Sequence, residues 1–512
     1  MSQKLHQLIQ SLSKSEKRYF KLYAQRFSDK EGSLKMVIFD NISKQDSYNE
    51  ELLYKKLAPK LTKNRYAVEK VHLYQMILDS LRAYHANSFM EVELLQALQT
   101  IRILWIKGLS SAAQQMIDKY KKLLYEEFGG DSVYLLNFIS FEKLMVYSVV
   151  PRPQQQAHIQ QLLTEYDATL KMLDETNEMS SLIAKSNYLR NEKYCPRNPK
   201  LKNECFKFLM HPILQEEMEH LRLTNVHKSL RIRFHIAKML KDYDNMWLLI
   251  NRVIEALPPI LKGQETALNN YCLNLVSKME AALYVELPNK DRLIETLAAE
   301  IQAIPEEYGS REKIVMTVYL SIFESYTTTL KYWIIKKNLS KIKTASLELL
   351  AQLERMPDIV AYAKSESTNQ DLYFEIYHNL AKAYFMLGDY GKALDYNHHI
   401  LDLGDRHFMA WDYRKAFLFS LLIHFELQNY QLLPYQIDKL EHFLKKIEAP
   451  FMLENQLCKF LKRIIAFPSG HAEQLALFGL LHRKITPLLE DPFEQFEQFD
   501  FDYWAWVKAL AQ

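Results

Sequence analysis

The sequence predicts an all-α chain, a solenoid of antiparallel helical hairpins carrying a small N-terminal helical module. Three observations point there. Glycine and proline number only 11 and 16 in 512 residues, together about half of average usage. Sheets with tight hairpins and dinucleotide folds need positive φ at many turns, so this scarcity argues against them. Good helix formers (Leu, Lys, Glu, Ala, Gln, Met) supply much of the remainder. Finally, short polar turns fall near Leu109, Pro151, Pro196, Tyr243, Pro288, Leu339, Tyr390 and Tyr430, at steps of 40 to 51 residues. That interval is the size of a helical hairpin, which cannot bury its apolar faces alone and must stack on neighbours. Between turns and prolines lie apolar residues at helical spacing over roughly 15–22 residues.

Residues 1–90 read as a basic helical module. Ser13-x-x-Glu16 and Ser47-x-x-Glu50 are capping boxes that start helices. The second leads through ELLYKKL and a turn at Ala58-Pro59 into a long helix from about Arg65 to His85. Residues 1–70 carry 15 Lys/Arg against 8 Asp/Glu, although the whole chain is nearly neutral at +3. Lys55, Lys56, Lys60, Lys63 and Arg65 cluster near the turn. They read either as a solvated basic face or as phosphate contacts of a helix-turn-helix.

The solenoid spans residues 91–485, and its clearest unit is LYFEIYHNLAKAYFMLGDYGKALDYNHHILDLGD, Leu372 to Asp405. Tyr373, Tyr377, Leu380, Ala381, Tyr384 and Leu387 form one stripe, and small Ala381 and Ala393 allow close helix approach. This unit resembles the tetratricopeptide repeat. Counting from Phe374, Tyr377 fills the large aromatic site, Leu380-Ala381 the leucine–small pair and Tyr384 the next aromatic site. Gly388-Asp389-Tyr390 fills the turn and Ala393 the small contact position. Asn397, Ile400 and Asp405 depart from the pattern. Weaker echoes lie at Phe234–Pro259 and Ile103–Leu124.

The resemblance implies a right-handed solenoid in which the first helix of each hairpin lines a groove for an extended peptide. On the best unit it places Glu375, His378, Asn379, Lys382 and Phe385 toward that groove, with Lys415 from the next hairpin. Asn379 and Lys415 match two positions of the family's carboxylate clamp, whereas Thr327, Lys331 and Phe419 stand where Lys, Asn and Arg are expected. Lys331, Lys382 and Lys415 would attract an acidic chain.

Residues 486–512 form an acidic, aromatic C-terminal segment, DPFEQFEQFDFDYWAWVKALAQ in its last part. From Glu490 onward six acids face Lys508 alone. A solenoid needs a terminal cap, so docking on the last hairpin is one reading. The other is a short peptide offered to a partner or to a neighbouring copy, since its charge complements the basic N-terminus and permits head-to-tail self-association.

No glycine-based phosphate cradle, H-E-x-x-H metal motif or G-x-S-x-G elbow occurs. His398-His399 point about 100° apart on a helix, and His220 and His227 have no cysteine nearby, so no metal site is expected. Cys195, Cys205, Cys272 and Cys458 have no C-x-x-C spacing and read as small buried hydrophobes. No secretory leader or membrane span is visible, which makes the cytoplasm the expected location. The expectation is therefore a non-catalytic scaffold or adaptor that needs no cofactor and binds a protein or peptide. The alternative is a nucleic-acid-associated regulator using the N-terminal module.

Overall fold

The computed structural model describes the chain except for residues 1, 27–29, 46–48, 58–61, 87–89, 129–131, 193–198, 216–222, 257–264, 309–315, 366–369, 405–409, 446–451, 466–471, 492, 495–499 and 511–512. The described chain is helical, and no strand occurs among the described residues. It divides into two compact units, Met1–Asn177 and Glu178–Gln512. No helix among the described residues is long and apolar enough to cross a membrane.

The first unit opens with α1 (Ser2–Ser11), α2 (Lys14–Gln25), α3 (Lys30–Ser43), α4 (Glu50–Leu57) and α5 (Lys63–Tyr84). The Ser13 capping box forms: Glu16 N donates to Ser13 Oγ at 3.1 Å, and Ser13 N donates to Glu16 Oε2 at 2.8 Å. The same carboxylate receives His85 Nε2 at 2.7 Å, which ties the start of α2 to the end of α5. Leu5, Ile9, Phe20, Phe39, Tyr66, Leu73 and Ile77 bury a core confined to these helices. The Ser47 capping box and the Ala58-Pro59 turn lie outside the described residues. A second core, around Ile101, Ile117, Leu124 and Phe138, joins α6 (Met90–Ile106), α7 (Ser110–Phe128) and α8 (Val133–Val149) to α9 (Arg152–Glu192).

At 41 residues, α9 is far longer than the sequence reading of helices between turns allows. The physical reason is plain. From Gln154 to Cys195 the chain has neither glycine nor proline, so nothing stops the helix. The turn expected near Pro196 lies outside the described residues.

The second unit continues with α10 (Pro199–Leu209), α11 (Pro212–Gln215), α12 (Leu223–Leu240), α13 (Tyr243–Glu255), α14 (Glu265–Tyr284) and α15 (Lys290–Tyr308). Then follow α16 (Met316–Ile335), α17 (Leu339–Arg355), α18 (Pro357–Ser365), α19 (Gln370–Met386), α20 (Tyr390–Leu401), α21 (Ala410–Glu426) and α22 (Leu433–Leu444). Last come α23 (Met452–Ile464), α24 (Ala472–Ile485), a 3-10 turn at Thr486–Glu490, and α25 (Tyr503–Leu510). Helices pack on their chain neighbours: α13 on α14, α15 on α16, α20 on α21 and α22 on α23. Contacts also run between α14 and α16, α16 and α19, and α19 and α21. Fully buried Ala381 and Ala393 let α19 and α20 approach closely.

The turns expected near Tyr243, Leu339, Tyr390 and Tyr430 share one construction. The residue two before each (Lys241, Lys337, Gly388, Gln428) has a φ between +55° and +80°. The next N–H reaches back five residues, as in Asp389 N to Tyr384 O at 2.9 Å and Asn338 N to Trp333 O at 3.2 Å. This Schellman arrangement satisfies carbonyls that the helix end would leave bare. Asp242, Asn338 and Asp389 then turn their side chains forward, accepting from Asn245 N, Lys341 N and Lys392 N. One residue closes one helix and caps the next. Gly108 ends α6 with the same bonds.

Cys205, Cys272 and Cys458 are free and buried, and burial pushes their thiols up to about 11, 12 and 12. Cys195 lies outside the described residues.

Candidate functional site

Five of the six residues assigned to the groove sit on α19 at helical spacing, so Glu375, His378, Asn379, Lys382 and Phe385 share one face. Lys415 joins them from α21 and Lys331 from α16. The sequence reading left this face open to a ligand. Instead, His378, Asn379 and Lys382 have no exposed surface, and Phe385 and Lys415 are 7% and 8% exposed. The chain's own C-terminal segment lies against His378, Lys382 and Phe385.

Asp500 is the anchor. Its Oδ1 and its backbone carbonyl both accept from Lys382 Nζ at 3.0 Å, while Oδ2 lies 2.9 Å from His378 Nε2. Although burial alone would raise it, Lys382, His378 and Lys415 hold the Asp500 carboxyl well below the usual carboxylate range. Burial keeps His378 below its ordinary value against the pull of Asp500, so the neutral ring donates through Nε2. Glu375 is likewise pulled upward by burial, but Lys331 (3.5 Å), Lys382 and Lys415 bring it down to about 2. Asp412 lies on the other side of this balance. Burial, with Asp371 and Glu375 beside it, lifts its carboxyl to about 7 despite Lys415.

Aromatic packing continues the contact. The Phe501 ring meets Phe385 and Phe419 edge-on, with centroids 5.5 and 5.1 Å apart. Such pairs contribute about 0.5–1.5 kcal/mol beyond the area they bury. Tyr503 and Val507 are also buried, Trp506 Nε1 donates to Glu426 Oε1 at 2.7 Å, and Trp504 packs on His482 with Nε1 on Thr486 Oγ1. Asp502 pairs with Lys337 at 2.6 Å and accepts from Ala505 N, capping α25. Upstream, Glu494 accepts from Met452 N and Leu453 N at 2.7 and 3.2 Å. That puts a carboxylate on the positive end of α23. The segment thus packs on α24 and also reaches back across α21, α19 and α16.

The fit leaves gaps. His378 Nδ1 and Asn379 Oδ1 are buried without a hydrogen-bond partner, at a cost of about 1–3 kcal/mol for each such group. A cleft of about 600 Å³ remains between the segment and the ends of α16 and α19, lined by Ile334, Phe385, Met386, Phe501, Trp504 and Trp506.

Sequence reasoning missed Asp412 and the pairing of Asp500 with Lys382. The only signal for that pairing was complementary charge: acids alternating with aromatics at the end of the chain, and three lysines on the candidate face. His399 stacks on Tyr377 at 4.2 Å, and His227 hydrogen-bonds Asn274, whereas His220 lies outside the described residues. Among the described residues no three His, Cys, Asp or Glu side chains converge as metal ligands. Near the N-terminal turn Lys55 and Arg65 are exposed. The Lys56 and Lys63 side chains and Lys60 lie outside the described residues.

No protein-family model, no curated protein and no solved structure matches this chain.

Proposed function

We propose that the chain is a non-catalytic interaction scaffold or adaptor of the cytoplasm, a right-handed solenoid of tetratricopeptide-like hairpins that holds a peptide or helix of another protein across α16, α19 and α21. The basic module of residues 1–90 and the C-terminal segment 486–512 flank the solenoid. One observation carries the reading: this face grips an acidic, aromatic segment through buried Lys382 and His378 and an aromatic seat for Phe501. Ionic and aromatic side chains concentrated on one helix face are the chemistry of peptide recognition. The turn residues Gly388-Asp389-Tyr390 and the burial of Ala381 and Ala393 between α19 and α20 support the hairpin assignment.

The test is a capture experiment from the source cell's lysate with the full chain as bait, beside Lys382→Met and a chain lacking residues 1–90. A protein retained by the full chain and lost with Lys382→Met supports the adaptor. Nucleic acid retained instead, lost with residues 1–90 and released steeply by salt, would replace it with the nucleic-acid reading.

A further inference from the structure

We infer that Asp500–Val507 is a resident competitor in a recognition site, and that the site's partner is a segment of another protein carrying the same chemistry: a carboxylate, an aromatic ring directly after it, then a second carboxylate and a helix start bearing further aromatics. The inference rests on the adaptor reading and names the ligand class and its control.

Charge is the first argument. A permanent cap needs only apolar contact, and a buried ion pair is often no better for stability than well-packed apolar residues. Here Lys331, Lys382 and Lys415 converge from three different helices, with Glu280 of α14 close enough to Lys331 to feel its charge, and Asp500 is the carboxylate that the C-terminal segment adds to them. Lift the segment away and Glu375 faces three lysines, Lys331, Lys382 and Lys415. What remains is an anion-attracting strip ending in an aromatic seat of Phe385 and Phe419.

Fit is the second. A segment selected only to seal the fold would pack to interior density. This one leaves His378 Nδ1 and Asn379 Oδ1 unsatisfied and a cleft of about 600 Å³ along its side. A partner with a larger apolar side chain beside Phe501 would fill that cleft. The outer pair Lys337–Asp502 is half exposed and exchanges readily with such a partner.

Covalent attachment keeps the resident segment at an effective concentration on the order of millimolar, so any partner in trans sees its affinity reduced by that competition. Weakening the resident contact therefore strengthens binding of a free ligand.

The experiment uses the full chain and a fluorescein-labelled synthetic peptide of sequence DFDYWAWVKAL, residues 500–510, read by fluorescence anisotropy. Asp500→Asn with Phe501→Ala is expected to bind this probe at least about tenfold tighter than the unaltered chain. Adding Lys382→Met to that variant should abolish the gain. If the variant melts less cooperatively, saturating peptide should restore the melt. An intact variant with no gain, or a melt the peptide does not restore, overturns the inference and makes the segment a fixed cap. So does a wild-type dimer that needs Asp500 and Phe501, because the segment then serves a second copy of the chain. A lysate partner captured equally with and without the tail substitutions would sink this inference alone. No partner captured by either chain would sink the adaptor reading beneath it.

Discussion

Lys382 on α19 and Asp500, 118 residues later, meet at 3.0 Å with their side chains 0% and 4% exposed. A charge so deeply buried tolerates its partner's loss poorly. Lys382→Met removes the ammonium but keeps the stem's volume, leaving Asp500 to His378 and Lys415. We expect it to cost about 3–5 kcal/mol in urea denaturation followed by tryptophan fluorescence, the range for breaking one side of a buried pair. Replacing both residues, Lys382→Met with Asp500→Leu, should recover most of that loss. Additive single effects would show that the two residues do not act as a pair.

The repeated turn yields an independent expectation. Gly388 has φ +80° and nothing within 4 Å of where a Cβ would sit, so Gly388→Ala costs backbone strain alone. That strain is about 1 kcal/mol. Gln428 adopts φ +58° with a side chain present. Gln428→Gly should then stabilise the chain by up to about 1 kcal/mol, and thermal melts of the two variants should move in opposite directions.

These turns also show what the sequence made legible. Tyr243, Leu339, Tyr390 and Tyr430 marked real junctions because each follows a left-handed residue that closes a helix, and at the first three an Asp or Asn also caps the next one. The all-helical class was legible for a similar reason, since few residues were present that could interrupt a helix. The 41 residues of α9 were misjudged because a regular interval was extended through a stretch without breakers. The candidate face of α19 came from the tetratricopeptide resemblance, but its cover was not legible. Which distant segment lies on a given helix face depends on tertiary packing, and helical periodicity carries no information about that.

Glu494 gives a local test of the C-terminal segment away from Asp500. Its carboxylate caps α23 while only 1% exposed. Glu494→Ala should cost about 1–2 kcal/mol by removing a charged cap from a helix start. Hydrogen exchange should rise first at the amides of Met452 and Leu453. Protection unchanged there would mean that the cap is not formed in solution.

His227 should contribute a loss of stability that begins near pH 6.5 as pH falls. Burial first, then Arg231 and Lys228, lower His227 from 6.5 to about 4, and its Nε2 lies 3.4 Å from Asn274 Nδ2. The folded chain therefore holds a neutral imidazole that the unfolded chain protonates more readily. The unfolded state binds more protons between pH 6.5 and 4, so stability is full above 6.5 and falls as pH drops through that window. A shift of this size corresponds to about 3 kcal/mol between its limits. His378 is lowered by burial as well and acts in the same direction. Asp412 acts oppositely: its carboxyl, raised to about 7, favours the folded chain as pH falls toward the ordinary carboxylate range. His227→Gln isolates the imidazole, because glutamine retains an acceptor for Asn274 and does not titrate. From pH 7 to pH 5 the urea midpoint should fall less, or rise more, in His227→Gln than in the unaltered chain, and an equal change in both would show that His227 does not contribute.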